Sequence, residues 1–247
     1  MGLMVPQSRA ERIDVETAAG PLAAWLHLPP RTPAPVIVCC HGMLSSKDSP
    51  KFALLAEELS RAGAAVLRFD FSGCGESRAA LGEDLLSTRL RDLHAVLDYA
   101  QNQPWSNGGI GLLGSSLGGY LALLAMAFGR RSLAAAVCWA TPFDLGKIKQ
   151  AMADSAELKQ FFPPDFRLGS PENLQDLSSV RGVLVVHGQQ DEVVLWQDAL
   201  NIHERLGEPK RLLLVQQAEH RFLDPACRML ALTASLEWFR GLGLVPS

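Results

Sequence analysis

No stretch of this chain is apolar for long enough to cross a bilayer, and Met1 to Ile13 has no continuous apolar run of the kind a secretory leader carries. No block of like charge marks a tail or a membrane-surface stripe. With 23 Lys plus Arg against 26 Asp plus Glu, a formal net charge of -3 leaves no basic footprint for nucleic acid. Internal repeats and low-complexity segments are absent. The five cysteines are odd in number and no pair has metal-site spacing. Cys39, Cys40 and Cys138 lie in apolar runs, Cys74 in a glycine-dense loop and Cys227 near a C-terminal helix, so nothing argues for a disulfide. The expectation is a cytoplasmic protein in a reducing setting, without membrane span, nucleic-acid partner, metal or organic cofactor.

What is present is a chain of 247 residues, 48% hydrophobic, a length that suits one α/β domain over 1–247 with a substantial core. Arg12 to Thr17 and Leu22 to Leu28 read as a hairpin around Ala19-Gly20-Pro21. A strand–helix beat follows. Val36 to Cys40, Ala64 to Phe69, Gly109 to Leu113, Leu133 to Trp139, Val183 to Val186 and Lys210 to Val215 are short apolar runs, as strands buried on both faces should be. Phe52 to Ala62, Leu85 to Tyr99, Tyr120 to Phe128, Trp196 to Arg205 and Cys227 to Phe239 have helical spacing. The beat predicts about eight strands, mostly parallel and doubly wound, with an N-terminal antiparallel hairpin. It breaks once, over 142–179, where Leu145 to Phe161 reads as helical and prolines and glycines follow. A forty-residue excursion of this kind is expected to be a small cap or lid, with Phe143, Met152, Phe161, Phe162 and Phe166 either as its apolar underside or packing it onto the body.

The chain is organised around Gly114-Ser115-Ser116-Leu117-Gly118, which joins an apolar strand to an apolar helix. A serine on so sharp a turn needs neighbours without Cβ atoms, because the backbones crowd there. The turn lifts the Ser116 hydroxyl out of the sheet and sets it at a helix N-terminus. Ser115 lacks a glycine two residues after it and is rejected. A serine hydroxyl needs a base in hydrogen-bond reach and a carboxylate to orient that base. Of the six histidines, His27, His94 and His203 lie in the hairpin or in helices, and His41 and His187 precede glycines, where an imidazole buttresses a loop. His220 alone follows the last strand. Asp191, after the preceding strand, is the acid; Asp144, Glu192 and Asp224 are its rivals. The oxyanion donors are the Leu117 N–H and, from the His41-Gly42-Met43 turn, the Met43 N–H. All these segments follow strands and belong at one sheet edge.

His41-Gly42-Met43, Asp70-Phe71-Ser72-Gly73-Cys74-Gly75-Glu76-Ser77, Gly114 to Gly118, Gly188 to Asp191 and Glu219-His220 together resemble the serine hydrolases of the α/β-hydrolase superfamily. Within it the chain is similar to compact bacterial carboxylesterases related to feruloyl and cinnamoyl esterases and to monoacylglycerol lipase-like proteins. The resemblance implies a cap after the sixth strand and a structural rather than catalytic role for the Asp70 to Ser77 loop. It also implies hydrolysis of a small-molecule acyl ester through an acyl-enzyme. Dehalogenases and epoxide hydrolases of this fold carry aspartate at the elbow, against which Ser116 argues. A thioesterase or peptidase with the same residues, and a binding protein that kept the fold without turnover, are the alternatives.

Overall fold

A computed structural model describes residues 9–82, 84–129, 131–146, 167–169 and 174–246. Its elements in chain order are β1 (Arg9–Val15), β2 (Leu22–Leu28), β3 (Ala34–Cys40), α1 (Pro50–Arg61), β4 (Ala65–Phe69), α2 (Leu85–Gln101), β5 (Ser106–Ser115), α3 (Leu117–Phe128), β6 (Ala135–Trp139), β7 (Val183–Gly188), α4 (Gln197–Arg205), β8 (Lys210–Val215) and α5 (Pro225–Gly241). The strands form one eight-stranded sheet in the order β1-β2-β4-β3-β5-β6-β7-β8. β1 pairs antiparallel with β2, and β2 antiparallel with β4. From β4 onward every pairing is parallel. The expected mostly parallel sheet with an N-terminal antiparallel hairpin is therefore the one observed.

Alternation along each central strand feeds two cores. Val36, Val38 and Cys40 of β3 join Leu93 and Leu97 of α2, Leu121 of α3 and Ile202 of α4 on one face. Ile37 and Cys39 join Phe52 and Leu55 of α1 and Phe239 of α5 on the other. A strand covered on both faces has no polar side to show, which is why these segments are apolar without interruption.

The chain leaves β3 to one side for β4 and returns to the other side for β5, so the sheet order reverses there, and such a switch opens a crevice at the carboxyl edge. Register brings the ends of the strands level at that edge. Cys40 pairs with Gly114, Ser115 with Trp139, Trp139 with Val186 and Gly188 with Val215. The turns after β3, β5, β7 and β8 emerge side by side. Of the stretch 142–179, residues 147–166, 170 and 171–173 lie outside the described residues, and with them Met152, Phe161, Phe162, Phe166 and nearly all of the helix expected from Leu145 to Phe161. Phe143 is described: it packs against the core with the Arg205 guanidinium 4.5 Å from its ring centre.

Candidate active site

Ser116 sits between β5 and α3 with φ 55° and ψ -124°, outside the regions ordinary L-residues occupy. Close packing holds it there. The Ser116 N–H donates to the Trp139 carbonyl at 2.8 Å, and its own carbonyl accepts from Gly119 N–H at 3.0 Å. A Cβ on Gly114 would lie 2.4 Å from the Gly118 carbonyl oxygen, and one on Gly118 2.0 Å from that of Cys40. Both glycines of the pentapeptide are thus required by backbone crossing backbone. The neighbouring hydroxyls separate clearly: Ser115 Oγ accepts from Lys51 Nζ at 2.6 Å, whereas Ser116 Oγ lies 3.2 Å from His220 Nε2.

His220 faces Asp191 with its other nitrogen, Nδ1 standing 2.8 Å from Oδ2 and 3.0 Å from Oδ1. A carboxylate there fixes the proton on Nδ1 and leaves the Nε2 lone pair toward Ser116 Oγ. The two loops meet because Gly188 has no side chain: a Cβ would sit 2.1 Å from the Ala218 carbonyl oxygen. Gln190 N–H donates to the same carbonyl at 3.1 Å. Burial by itself raises the Asp191 carboxyl, but hydrogen bonds from His187 and His220, the charge of His220 and the Val194 N–H together hold it well below the usual carboxylate range.

The rival carboxylates are engaged elsewhere. Asp144 accepts from Gly146 N–H, Asp224 caps α5 through Cys227 N–H, and Glu192 lies 3.5 Å from the backbone nitrogen of His220. His41 and His187 buttress loops as expected. Phe71 N–H donates to His41 Nε2 at 3.2 Å while His41 Nδ1 meets the Gly42 carbonyl at 2.7 Å. His187 Nε2 lies 2.9 Å from the Val194 carbonyl and 3.2 Å from Asp191 Oδ2. Both neighbours are acceptors, so the proton belongs on Nε2, and His187 supports Asp191 as well as its loop.

Met43 and Leu117 line a cavity of about 550 Å³ together with Ser116 and His220. Among the described residues neither the Met43 nor the Leu117 N–H has a hydrogen-bond acceptor. Arg89, a residue that reading for motifs missed, holds Met43 together with His41, whose Nδ1 meets the same Gly42 carbonyl. Arg89 is 1% exposed and donates to the Gly42 carbonyl at 3.2 Å and to the Met43 carbonyl at 3.0 Å. The Gly42 carbonyl and the Met43 N–H belong to one trans peptide and point opposite ways. Drawing the carbonyl toward α2 therefore turns the N–H away from it. The one signal in the sequence was an arginine three residues after Leu86 and four before Leu93, on the apolar stripe of α2.

The Asp70 to Ser77 loop is built as a scaffold. The buried Lys47 ammonium bonds Asp70 Oδ2 at 2.9 Å and Glu76 at 2.6 Å. Ser77 Oγ donates to the Asp70 carbonyl at 2.6 Å, and a Cβ on Gly75, at φ 50°, would strike the Asp70 carboxylate.

The reversed strand order, the serine on a strained turn after β5, and the cavity over that edge define an α/β-hydrolase. More narrowly, the chain belongs to the family described as serine aminopeptidase, S33 (Hydrolase_4), whose profile matches residues 31–183. It is similar to the mouse (Mus musculus) mitochondrial palmitoyl-protein thioesterase ABHD10, at 27% identity over 230 residues, 83% of this chain and 75% of that protein. Among solved structures it is similar to the Pyrococcus furiosus esterase PF2001, with a TM-score of 0.78 at 20% identity over 95% of this chain and 92% of that one. It is likewise similar to Est1E from Butyrivibrio proteoclasticus, solved with ferulic acid bound, with a TM-score of 0.73 at 21% identity over 93% and 98% of the two chains. At these identities the two structural likenesses speak to the fold.

Proposed function

We propose that the protein is a serine hydrolase of carboxylic esters. Ser116 Oγ attacks the acyl carbonyl carbon as His220 Nε2 takes the hydroxyl proton. The tetrahedral oxyanion is held by the Met43 and Leu117 N–H groups. Collapse breaks the ester C–O bond, and the proton on Nε2 goes to the departing alkoxide. Water, deprotonated by the same nitrogen, then attacks the acyl-enzyme and regenerates Ser116. Asp191 keeps His220 in the required tautomer and stabilises it when charged. The observation that carries this reading is the unbroken line of contacts from Ser116 Oγ through both His220 nitrogens to Asp191. Leu44, Leu117, Leu145, Leu168, Val193 and Leu223 supply much of the cavity wall, which supports an apolar acyl portion. Leu145 and Leu168 come from 142–179, which supports assigning that stretch as a small cap. The five free thiols support a reducing, cytoplasmic setting.

A thioester is the second reading, favoured by the mouse relative, which is called a palmitoyl-protein thioesterase. A fluorophosphonate probe followed by peptide mapping tests the chemistry common to both. The label is expected on Ser116 alone, lost in Ser116→Ala and strongly slowed in His220→Ala. A label that persists in Ser116→Ala, or none in the wild type, overturns the proposal. Paired oxygen and sulfur esters of one acyl group then separate the two readings.

A further inference from the structure

The cavity above Ser116 carries more positive charge than acyl transfer uses. Lys51, Arg221 and Arg228 line it beside Ser116 and His220, and among its described lining residues there is no aspartate or glutamate. Lys51 stands in the first turn of α1 with its ammonium turned inward, donating to Ser115 Oγ at 2.6 Å. An ammonium has three donors, and among the described residues this one has no ion pair. The carboxylates whose charge reaches it are occupied. Glu219 accepts from the Arg221 and Leu223 backbone N–H groups, and Asp191 from His220 and the Val193 and Val194 N–H groups. Arg221 has no side-chain hydrogen bond or ion pair among the described residues, and Arg228 has one long hydrogen bond, 3.5 Å to the Phe222 carbonyl, besides feeling the charge of Asp224.

A lysine serving only to cover apolar surface would keep its stem against the protein and its head in water. Lys51 instead turns its ammonium inward to Ser115 Oγ, the residue as a whole being half-buried, and desolvation first, then the neighbouring Arg221, bring it down to about 8 against the pull of Glu219 and Asp191. A cation turned into the cavity beside two further guanidinium groups, with no carboxylate among the described lining residues, gains most from an anion entering there.

We propose that Lys51, Arg221 and Arg228 form an anion subsite, and that the substrate is an acyl ester or thioester carrying a second, anionic group, carboxylate or phosphate, beside its scissile carbonyl. This inference rests on the serine hydrolase reading and narrows it. A cavity of about 550 Å³ has room for a small acyl group and a charged substituent together.

The test uses matched pairs of esters. p-Nitrophenyl hydrogen glutarate is compared with its neutral methyl ester, and 4-acetoxyphenyl phosphate with 4-methoxyphenyl acetate. The anionic member of at least one pair is expected to have the higher kcat/KM by about tenfold or more, and the arm in which this occurs tells carboxylate from phosphate. Lys51→Met and the surface variant Arg221→Gln should each lower that anionic-to-neutral ratio by about tenfold, and added salt should lower it as well. In parallel, glutarate and inorganic phosphate are titrated calorimetrically into the Ser116→Ala protein, where binding of one of them, weakened by Lys51→Met, is expected. Neutral twins hydrolysed as well as or better than the anionic members, with Ser116 still labelled by fluorophosphonate, would overturn the subsite and leave the hydrolase standing. If no ester turned over and Ser116 stayed unlabelled, the hydrolase reading would fall, and the calorimetry alone would decide the subsite: binding sensitive to Lys51 sustains it, no binding ends it.

Discussion

Replacing Arg89 by methionine separates a catalytic consequence from a structural one. The side chain is buried, spans from α2 to the turn after β3, and holds the Gly42 and Met43 carbonyls at 3.2 and 3.0 Å. Removing the two bonds to these carbonyls, beside which the 3.3 Å contact to Cys74 Sγ is weak, costs about 3 kcal/mol. Removing the buried Arg89 Nε, which has no partner, returns about 1 kcal/mol. A net loss of about 2 kcal/mol should lower Tm by about 4–8 °C. Turnover should suffer more. Losing one aimed oxyanion donor costs about 3 kcal/mol of barrier, and here the Met43 N–H is loosened rather than deleted, because His41 Nδ1 still holds the Gly42 carbonyl at 2.7 Å. The expectation is a fall in kcat of about 10- to 100-fold with KM within about threefold, because the donor acts on the oxyanion and not on the ground-state ester. Steady-state hydrolysis of a p-nitrophenyl ester well below the melting range reads both constants. Arg89→Lys, a point charge that reaches one carbonyl, should recover part of kcat. A variant that melts early yet keeps kcat within twofold would refute the argument that Arg89 aims the Met43 peptide.

Three further outcomes follow from the same geometry. Burial, then the charges of Arg68 and Arg89 respectively, hold His27 to about 4 and His41 to about 3, so both are neutral in the folded protein at pH 7. Because their folded values lie below the unfolded one, their contribution is complete above about pH 6.5 and is lost as pH falls toward the folded values, with a slope approaching about 3 kcal/mol per pH unit for the two together. Denaturant titrations showing flat stability from pH 7 to 5 would contradict this. Gly118→Ala, whose Cβ would meet the Cys40 carbonyl at 2.0 Å, should fail to give folded protein, while Gly241→Ala, with nothing within 4 Å, should be neutral or stabilising by up to about 1 kcal/mol. A folded, active Gly118→Ala would sink the account of the elbow. Ser115→Ala should retain turnover of a neutral p-nitrophenyl ester within about tenfold, since its hydroxyl meets Lys51 and not His220; loss as complete as in Ser116→Ala would reverse the assignment of the two serines.

Much of this architecture is written in local chemistry. Unbroken apolar runs announced strands covered on both sides, and Lys210 to Val215 was legible to the residue. The elbow was legible because two glycines at fixed spacing answer a steric need that backbone contacts at Gly114 and Gly118 now explain. Boundaries blurred where a residue has two meanings. Gly118 and Gly119 read as turn and delayed the expected start of α3 to Tyr120, whereas the helix begins at Leu117 and needs small residues there to pass Cys40 and Thr141. Ser106, Asn107 and Gly108, polar or without a side chain, likewise hid the first residues of β5, whose expected start was Gly109. Strand order was illegible beyond the beat, because no local pattern states that β3 lies between β4 and β5. The supporting charges were the hardest to see. Arg89 and Lys51 are residues usually assigned to solvent, and only the fold turns them inward toward Gly42 and Ser115.

The proposed chemistry requires that Ser116 become acylated. Rapid mixing of enzyme with p-nitrophenyl esters of short to long acyl chains measures this directly. A burst of about one equivalent of p-nitrophenol followed by steady turnover is expected, both abolished in Ser116→Ala. A steady rate with no burst that survives in Ser116→Ala would contradict it.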